Sequence, residues 1–310
     1  MKGGDRLLVL DGLGRVFISY DGSDWERPLL PTNVSEHGWK RADIEGEILA
    51  LANGTMIEVI DLRTGEHETL VSPPVKDLDL EGSRLAIASF EYPDVYDLEN
   101  RSWMDSRVTK ALGRVGGPWT EVMIPANELV AVDFSGIVVT VDTEVQADVN
   151  DVIERGSLPD GLDSNVTDLA LLDNATFLLT TMKGSWVVTE ADTVPFSTSR
   201  ISMPPTNDIR SVRHEEDTLW TVTPQGLSFL SFDSRGQPSG WVEGPFMGEG
   251  ISLGPLEAAK VEGTVYITGY GYGIHTYDTF ASSAPDRWDI AHMYGDARDD
   301  VRDLVLVNGT

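Results

Sequence analysis

One phrase occurs three times in this chain: Val75-Lys76-Asp77-Leu78-Asp79-Leu80, Val166-Thr167-Asp168-Leu169-Ala170-Leu171 and Val301-Arg302-Asp303-Leu304-Val305-Leu306. The copies begin 91 and then 135 residues apart. Taken as two and three repeats, both intervals give a period of about 45 residues, the length of one four-stranded unit in a radially repeated β fold. Weaker copies fill the gaps at Ala42-Asp43-Ile44, Glu121-Val122-Met123-Ile124, Ile209-Arg210-Ser211-Val212 and Leu256-Glu257-Ala258-Ala259, which makes seven. A unit repeated at this period cannot bury its apolar face alone and must stack on its neighbours.

Each copy is followed by two strand-like runs around a short turn, such as Ile48–Leu51 with Met56–Ile60 and Leu129–Val132 with Ile137–Val141. Six of the seven turns carry glycine at the matching place, Gly14, Gly54, Gly136, Gly184, Gly226 and Gly273, where tight hairpins need positive φ. The third turn has Tyr92-Pro93-Asp94 instead. Trp25, Trp103, Trp241 and Trp288 mark the start of a fourth, outer strand and read as packing residues. The chain opens on a second strand at Leu7 and closes on a first-strand copy at Val301–Val307. Pairing the two removes two open edges. The expected fold is all-β: a seven-bladed β-propeller with four-stranded blades, closed by the C-terminal strand joining the N-terminal three. It forms a single domain over 1–310, with blades near 300–310 plus 6–30, 42–71, 75–108, 119–147, 166–199, 209–246 and 256–291. A short helix is expected over Asp148–Arg155.

The period, the hairpin glycines and the split blade resemble the seven-bladed propeller superfamily, including WD40-like repeats, over nearly the whole chain, although the Trp-Asp dipeptide does not recur. Ser19-Tyr20-Asp21-Gly22-Ser23-Asp24-Trp25 resembles a shortened Asp-box, a hairpin motif of sialidase-like propellers. These resemblances imply a fold and leave the activity open.

Charge narrows the setting. The chain has 51 acidic against 23 basic residues, a net charge of -28, and the acids are spread along its length. Lysine is confined to Lys2, Lys40, Lys76, Lys110, Lys183 and Lys260. This composition resembles that of proteins from salt-loving archaea and from the viruses that infect them. Such a surface argues against nucleic acid, whose binding needs basic patches that release counterions. With no cysteine, disulfides and thiolate metal sites are excluded. No apolar run approaches the roughly 18 residues of a bilayer span, and the start has no secretory leader pattern. Membrane insertion is therefore not expected. The expected site of synthesis is the cytoplasm, and the expected destination is a virion or else the cytoplasm.

No catalytic set emerges. His37, His67, His214, His275 and His292 fall in different repeats and lack ligand spacing. Arg210 and Arg213 fall near the axis but are too few for a sialidase-like cluster. The Asp296–Asp300 run lacks the spaced ligands of a calcium loop, and Gly269–Gly273 lacks the Gly-Lys-Ser/Thr of a phosphate loop. No enzyme activity, metal or cofactor is expected. Asn33, Asn53, Asn100, Asn165, Asn174 and Asn308 fit the glycosylation pattern and also suit turns.

In a propeller the between-blade connections and the second-to-third-strand turns share one face. There the sequence offers aromatic and methionine residues unusual in so acidic a chain: Trp39, Tyr92, Trp119, Met203, Met247, Tyr270, Tyr272, Met293 and Tyr294, with Phe246 beside them. Interface centres favour these types. They are the expected contact surface for protein partners, other subunits of an assembly, or a cell-surface protein or glycan. The expected role is a non-catalytic binding or assembly part, in its most specific form a tail, spike or capsid-surface component of a halophilic archaeal virus. An intracellular archaeal scaffold and a sialidase-like or lyase-like carbohydrate enzyme are the alternatives.

Carboxylate repulsion is screened within about 3 Å in molar salt, but it reaches about 10 Å at 0.1 M. Dialysis from molar to about 0.1 M salt is expected to lower the melting temperature clearly. An unchanged melting curve would mean that the acids are locally compensated.

Overall fold

The computed structural model describes residues 6–20, 24–125, 127–143, 152–158, 166–173, 176–181, 184–189, 193–195, 209–215, 218–223, 226–232, 238–246, 255–261, 264–269, 273–278, 286–288 and 301–307. Among them are seven four-stranded antiparallel sheets. Six are built from strands consecutive in sequence. The second sheet comprises Arg41–Glu45, Ile48–Asn53, Met56–Asp61 and His67–Val71, and the third Val75–Glu81, Arg84–Ser89, Asp94–Asp97 and Ser102–Trp103. The fourth comprises Trp119–Met123, Glu128–Asp133, Val138–Asp142 and Ile153–Gly156, and the fifth Val166–Asp173, Thr176–Thr181, Gly184–Val188 and Thr193–Pro195. The sixth comprises Ser211–Glu215, Thr218–Thr223, Gly226–Phe232 and Pro238–Phe246, and the seventh Pro255–Val261, Thr264–Gly269, Gly273–Asp278 and Asp286–Trp288.

The first sheet joins distant parts of the sequence. Val301–Val307 takes the first position, beside Arg6–Asp11, Val16–Ser19 and Trp25–Glu26. Its antiparallel register runs from Arg6 opposite Val307 to Asp11 opposite Val301, with a shift after Leu10. The first strand of each sheet touches the first strands of its neighbours, and Val301–Val307 lies against both Arg41–Glu45 and Pro255–Val261. These are called the inner strands below.

Sheets covered on both faces carry nearly continuous apolar runs, because alternate side chains enter different interfaces. In the second sheet, Leu49 and Leu51 pack with Leu8, Leu10 and Ile18 of the first sheet. Ala50 and Ala52, on the other face, pack with Leu78, Leu80, Leu85 and Ile87 of the third. The pattern continues between the third and fourth sheets, the fourth and fifth, the fifth and sixth, and the sixth and seventh. Trp25 is buried in the outer strand of the first sheet, and Trp103 packs edge-on against Tyr96 with ring centroids 5.1 Å apart. Gly14 has φ 72°, and a Cβ there would lie 2.3 Å from the Trp39 backbone nitrogen. Both conformation and close approach exclude a side chain at that turn.

The helix falls elsewhere than expected. Ile153–Gly156 is the outer strand of the fourth sheet, past the expected edge at 147, and 148–151 lie outside the described residues. The α-helix of the described residues, α1, is Ser106–Val115, which follows a third-sheet outer strand that stops at Trp103. Asp105 caps it, accepting the Arg107 N–H at 2.8 Å, and Gly116-Gly117-Pro118 ends it. Val108, Ala111 and Leu112 form its buried stripe. Among the described residues, no helix is long and apolar enough to cross a membrane.

Removing residues 301–310 strips Arg6–Asp11 of a strand partner while Leu7–Leu10 are almost fully buried. Val301 and Leu304 are buried too, and each contributes roughly 1.5–3 kcal/mol. Destabilisation of at least about 3 kcal/mol and visible aggregation are expected, checked by thermal melting and light scattering.

Candidate functional site

An inner strand has one paired edge and one open edge, so some of its backbone amides need acceptors from elsewhere. The aspartates of the repeated phrase supply them across sheet boundaries. Asp43 Oδ2 accepts the Leu80 N–H at 2.6 Å while its Oδ1 accepts the Ile44 N–H at 2.8 Å. Asp77 Oδ2 accepts the Val122 N–H at 3.0 Å, and Asp79 Oδ2 accepts the Ile124 N–H at 2.6 Å. Asp168 repeats the Asp43 pattern, taking the Val212 N–H at 2.8 Å and the Leu169 N–H at 2.8 Å. Arg213 adds an ion pair to Asp168 at 3.1 Å.

Residues of six inner strands line a central cavity of about 460 Å³, among them Glu45, Glu81, Glu121, Asp77, Asp79, Asp168, Arg213, His214 and Leu304. His214 is tied down, with Nδ1 3.0 Å from the Leu171 carbonyl oxygen. Burial pushes Asp79 up to about 6. Glu121 is raised well above the usual carboxylate range, first by burial and then by the charges of Asp77 and Asp168, and it hydrogen-bonds to the Asp77 carboxyl. That bond holds a proton between two acids. Direct contact is closer than the roughly 5–9.5 Å separation that glycoside hydrolysis needs. Elsewhere, burial pushes Asp94 up to about 7. Among the described residues, no group of histidines and carboxylates is arranged to hold a metal ion.

The second feature is a loop face. Antiparallel order puts each second-to-third-strand turn at the same end of a sheet as the connection to the next sheet. Backbone bonds join the two: Gly38 N–H to Leu13 O at 2.9 Å, Val75 N–H to Gly54 O at 2.9 Å, and Phe134 N–H to Pro118 O at 2.8 Å. Among the exposed large apolar side chains, Leu13, Leu29, Met56, Val71, Phe90 and Phe134 belong to these turns and connections or to the strand ends beside them. Tyr20 and Ile153 belong to the opposite end.

The residues chosen from sequence fare differently. Trp39 and Trp119 are almost fully buried and are corrected from contact residues to core plugs. Trp39 packs between the first two sheets and donates its indole N–H to Ser35 O at 2.9 Å. Trp119 packs with Val108 and Leu112 of α1 and Leu129 of the fourth sheet. Truncation of either would open a core cavity and cost about 3–5 kcal/mol. Tyr92 is half-buried beside α1. Met203, Met247, Tyr270, Tyr272, Met293 and Tyr294 lie outside the described residues.

Phe90 and Phe134 were not singled out by sequence. Each directly follows a residue that caps its turn: Ser89 Oγ accepts the Glu91 and Tyr92 N–H groups, and Asp133 Oδ1 accepts those of Ser135 and Ile137. The usable signal was an aromatic residue one place past a small polar strand end, in two adjacent repeats.

No protein-family model and no curated protein sequence matches the chain. Solved structures do. The β-propeller domain of Cps50 (Swd1) from Myceliophteria thermophila is 12% identical, with a TM-score of 0.59 over 83% of this chain and 88% of that one. KlAtg21, solved in complex with the coiled coil of AgAtg16, is 12% identical, with a TM-score of 0.60 over 89% and 92%. Apo AztD from Citrobacter koseri is 11% identical, with a TM-score of 0.55 over 99% and 98%. At these identities the likeness concerns the fold alone: the chain is an all-β protein of propeller type.

The raised carboxyls set a pH dependence. Asp79 and Asp94 hold protons more tightly when folded than when unfolded, so between roughly pH 4 and 7 the folded chain binds more protons, and stability falls as pH rises. Asp61, Asp97 and Asp105 are lowered and titrate below that window. The melting temperature is expected to fall from about pH 5 to about pH 8 at constant salt. The double variant Asp79→Asn, Asp94→Asn keeps an acceptor oxygen at each site and should flatten the slope, leaving the part due to Glu121 and Glu45, which burial also raises.

Proposed function

We propose that the seven sheets are the blades of one propeller ring, closed by the pairing of Val301–Val307 with Arg6–Asp11. The ring is a non-catalytic binding and assembly module, serving as a structural or surface-recognition component of a halophilic archaeal virus. The observation that carries this reading is the concentration of Leu13, Leu29, Met56, Val71, Phe90 and Phe134 on the loop face of a chain with net charge -28. Apolar groups gathered on one face of so acidic a surface fit a contact with another protein. The occurrence of similar propellers in a complex with a coiled coil and in the mitotic checkpoint complex supports the same use. The acidic composition supports the halophilic setting. The bonds from Asp43, Asp79 and Asp168 to backbone amides favour a structural role for the cavity acids over carbohydrate chemistry.

The test is assembly in molar salt. The variant Leu29→Asp, Val71→Asp, Phe90→Asp changes only exposed side chains, so its melting temperature should hold. Its incorporation into the native particle, measured by sedimentation and mass spectrometry, should fall by about tenfold or more. Normal incorporation, or turnover of a glycan substrate by the wild-type chain, would overturn the reading.

A further inference from the structure

Against a net charge of -28, α1 carries three basic residues and no acid: Arg107, Lys110 and Arg114. Their spacing of three and four puts them on one side of the helix. All three are exposed, while Val108, Ala111 and Leu112 fill the buried side. Helix stability does not account for the stripe. Arg114 in the last turn suits the helix dipole, but Arg107 stands in the first turn, where the dipole disfavours a cation. An exposed pair with the capping Asp105 offsets this only in part.

The helix lies on the loop face beside the two exposed phenylalanines. A Cβ on Gly113 would come within 3.0 Å of Glu91 O and 3.7 Å of Tyr92 Cβ, so α1 rests on the turn that begins at Phe90. The segment leaving the helix passes the Phe90 carbonyl, which a Cβ on Gly117 would approach to 3.7 Å, and its Pro118 O accepts the Phe134 N–H. Lys76 Nζ stands 4.2 Å over the Phe90 ring. Basic stripe and aromatic ridge are therefore one patch, in which Arg107, Lys110, Arg114 and Lys76 outnumber the exposed Asp105 and Glu91.

We propose that this patch is the docking site for an acidic segment of a partner protein that carries apolar side chains, its carboxylates meeting the α1 stripe and its apolar groups meeting Phe90 and Phe134. This rests on the interaction-module reading and names the chemistry of the partner. Charge complementarity sets the acidic half, and the half-exposed phenyl rings set the apolar half. A nucleic acid fits poorly, since four cations neutralise few phosphates and the field of the whole chain repels a polyanion.

The test uses the full chain and a fluorescent synthetic helix of glutamate and leucine, read by anisotropy at low and moderate salt. Binding is expected. The variant Arg107→Glu, Lys110→Glu, Arg114→Glu should weaken it by about tenfold or more, and so should Phe90→Ser with Phe134→Ser. All of these positions are exposed, and unchanged melting curves verify folding. Single Lys110→Gln and Arg114→Gln variants, which cannot add repulsion, should each weaken binding by a smaller factor. Several results would overturn the proposal: no binding, equal affinity of the variants, equal binding of a serine-for-leucine peptide, or equal binding of an oligonucleotide of the same charge. Concentration-dependent sedimentation abolished by the charge reversal would assign the patch to a second copy of the chain instead. Normal particle assembly with the charge-reversed helix would remove this site and leave the interaction-module reading standing. Failure of the loop-face variant to affect assembly would remove the module reading itself.

Discussion

The open edge of each inner strand is the problem around which this molecule is arranged. Backbone amides there face a neighbour with which they do not form a β ladder. A buried amide without an acceptor costs about 1–3 kcal/mol. Asp43, Asp77, Asp79 and Asp168 remove that penalty by reaching across to Leu80, Val122, Ile124 and Val212. The same bonds fix how far each sheet slides along the next, because a carboxylate on a rigid strand reaches only one or two amides. The cavity is acidic for this reason, and burial first, with the neighbouring carboxylates adding to it, raises Asp79 and Glu121.

Much of this architecture was legible in the sequence. The phrase built on Val-x-Asp-Leu gave the period, and the first-strand copy at Val301 matched the missing strand before Leu7. Gly14 marked a turn where no side chain fits. The purpose of the repeated aspartate was not legible, because its partner lies a whole repeat away and is a backbone amide, which carries no residue type.

The misreadings share a physical cause. Trp39 and Trp119 stand in connections between strands, and connections are usually surface. These fold back over the sheet ends, so the large rings close the apolar layers between neighbouring sheets. The helix was missed although its signals were present: Asp105 before an amphipathic run, and Gly116-Gly117-Pro118 after it. A strict repeat encourages every segment to be read as a strand, and α1 occupies the interval where the repeat is interrupted. The loop-face reading favoured large residues in long loops and passed over the exposed Phe90 and Phe134 at short turns.

The pairing of Arg6 with Val307 also has a consequence in time. A ribosome adds about 5–20 residues per second, so the early strand waits roughly 15–60 s for its partner to be made. Until then the apolar run Leu7–Leu10 has only Val16–Ser19 beside it, on one edge. The later sheets can form locally from consecutive strands, whereas the first sheet depends on a contact spanning nearly the whole chain and carries the slowest loop closure. The newborn chain therefore leaves this apolar edge unpaired longest, and a holding chaperone would find its natural target at the N-terminal strands rather than at any sheet made later.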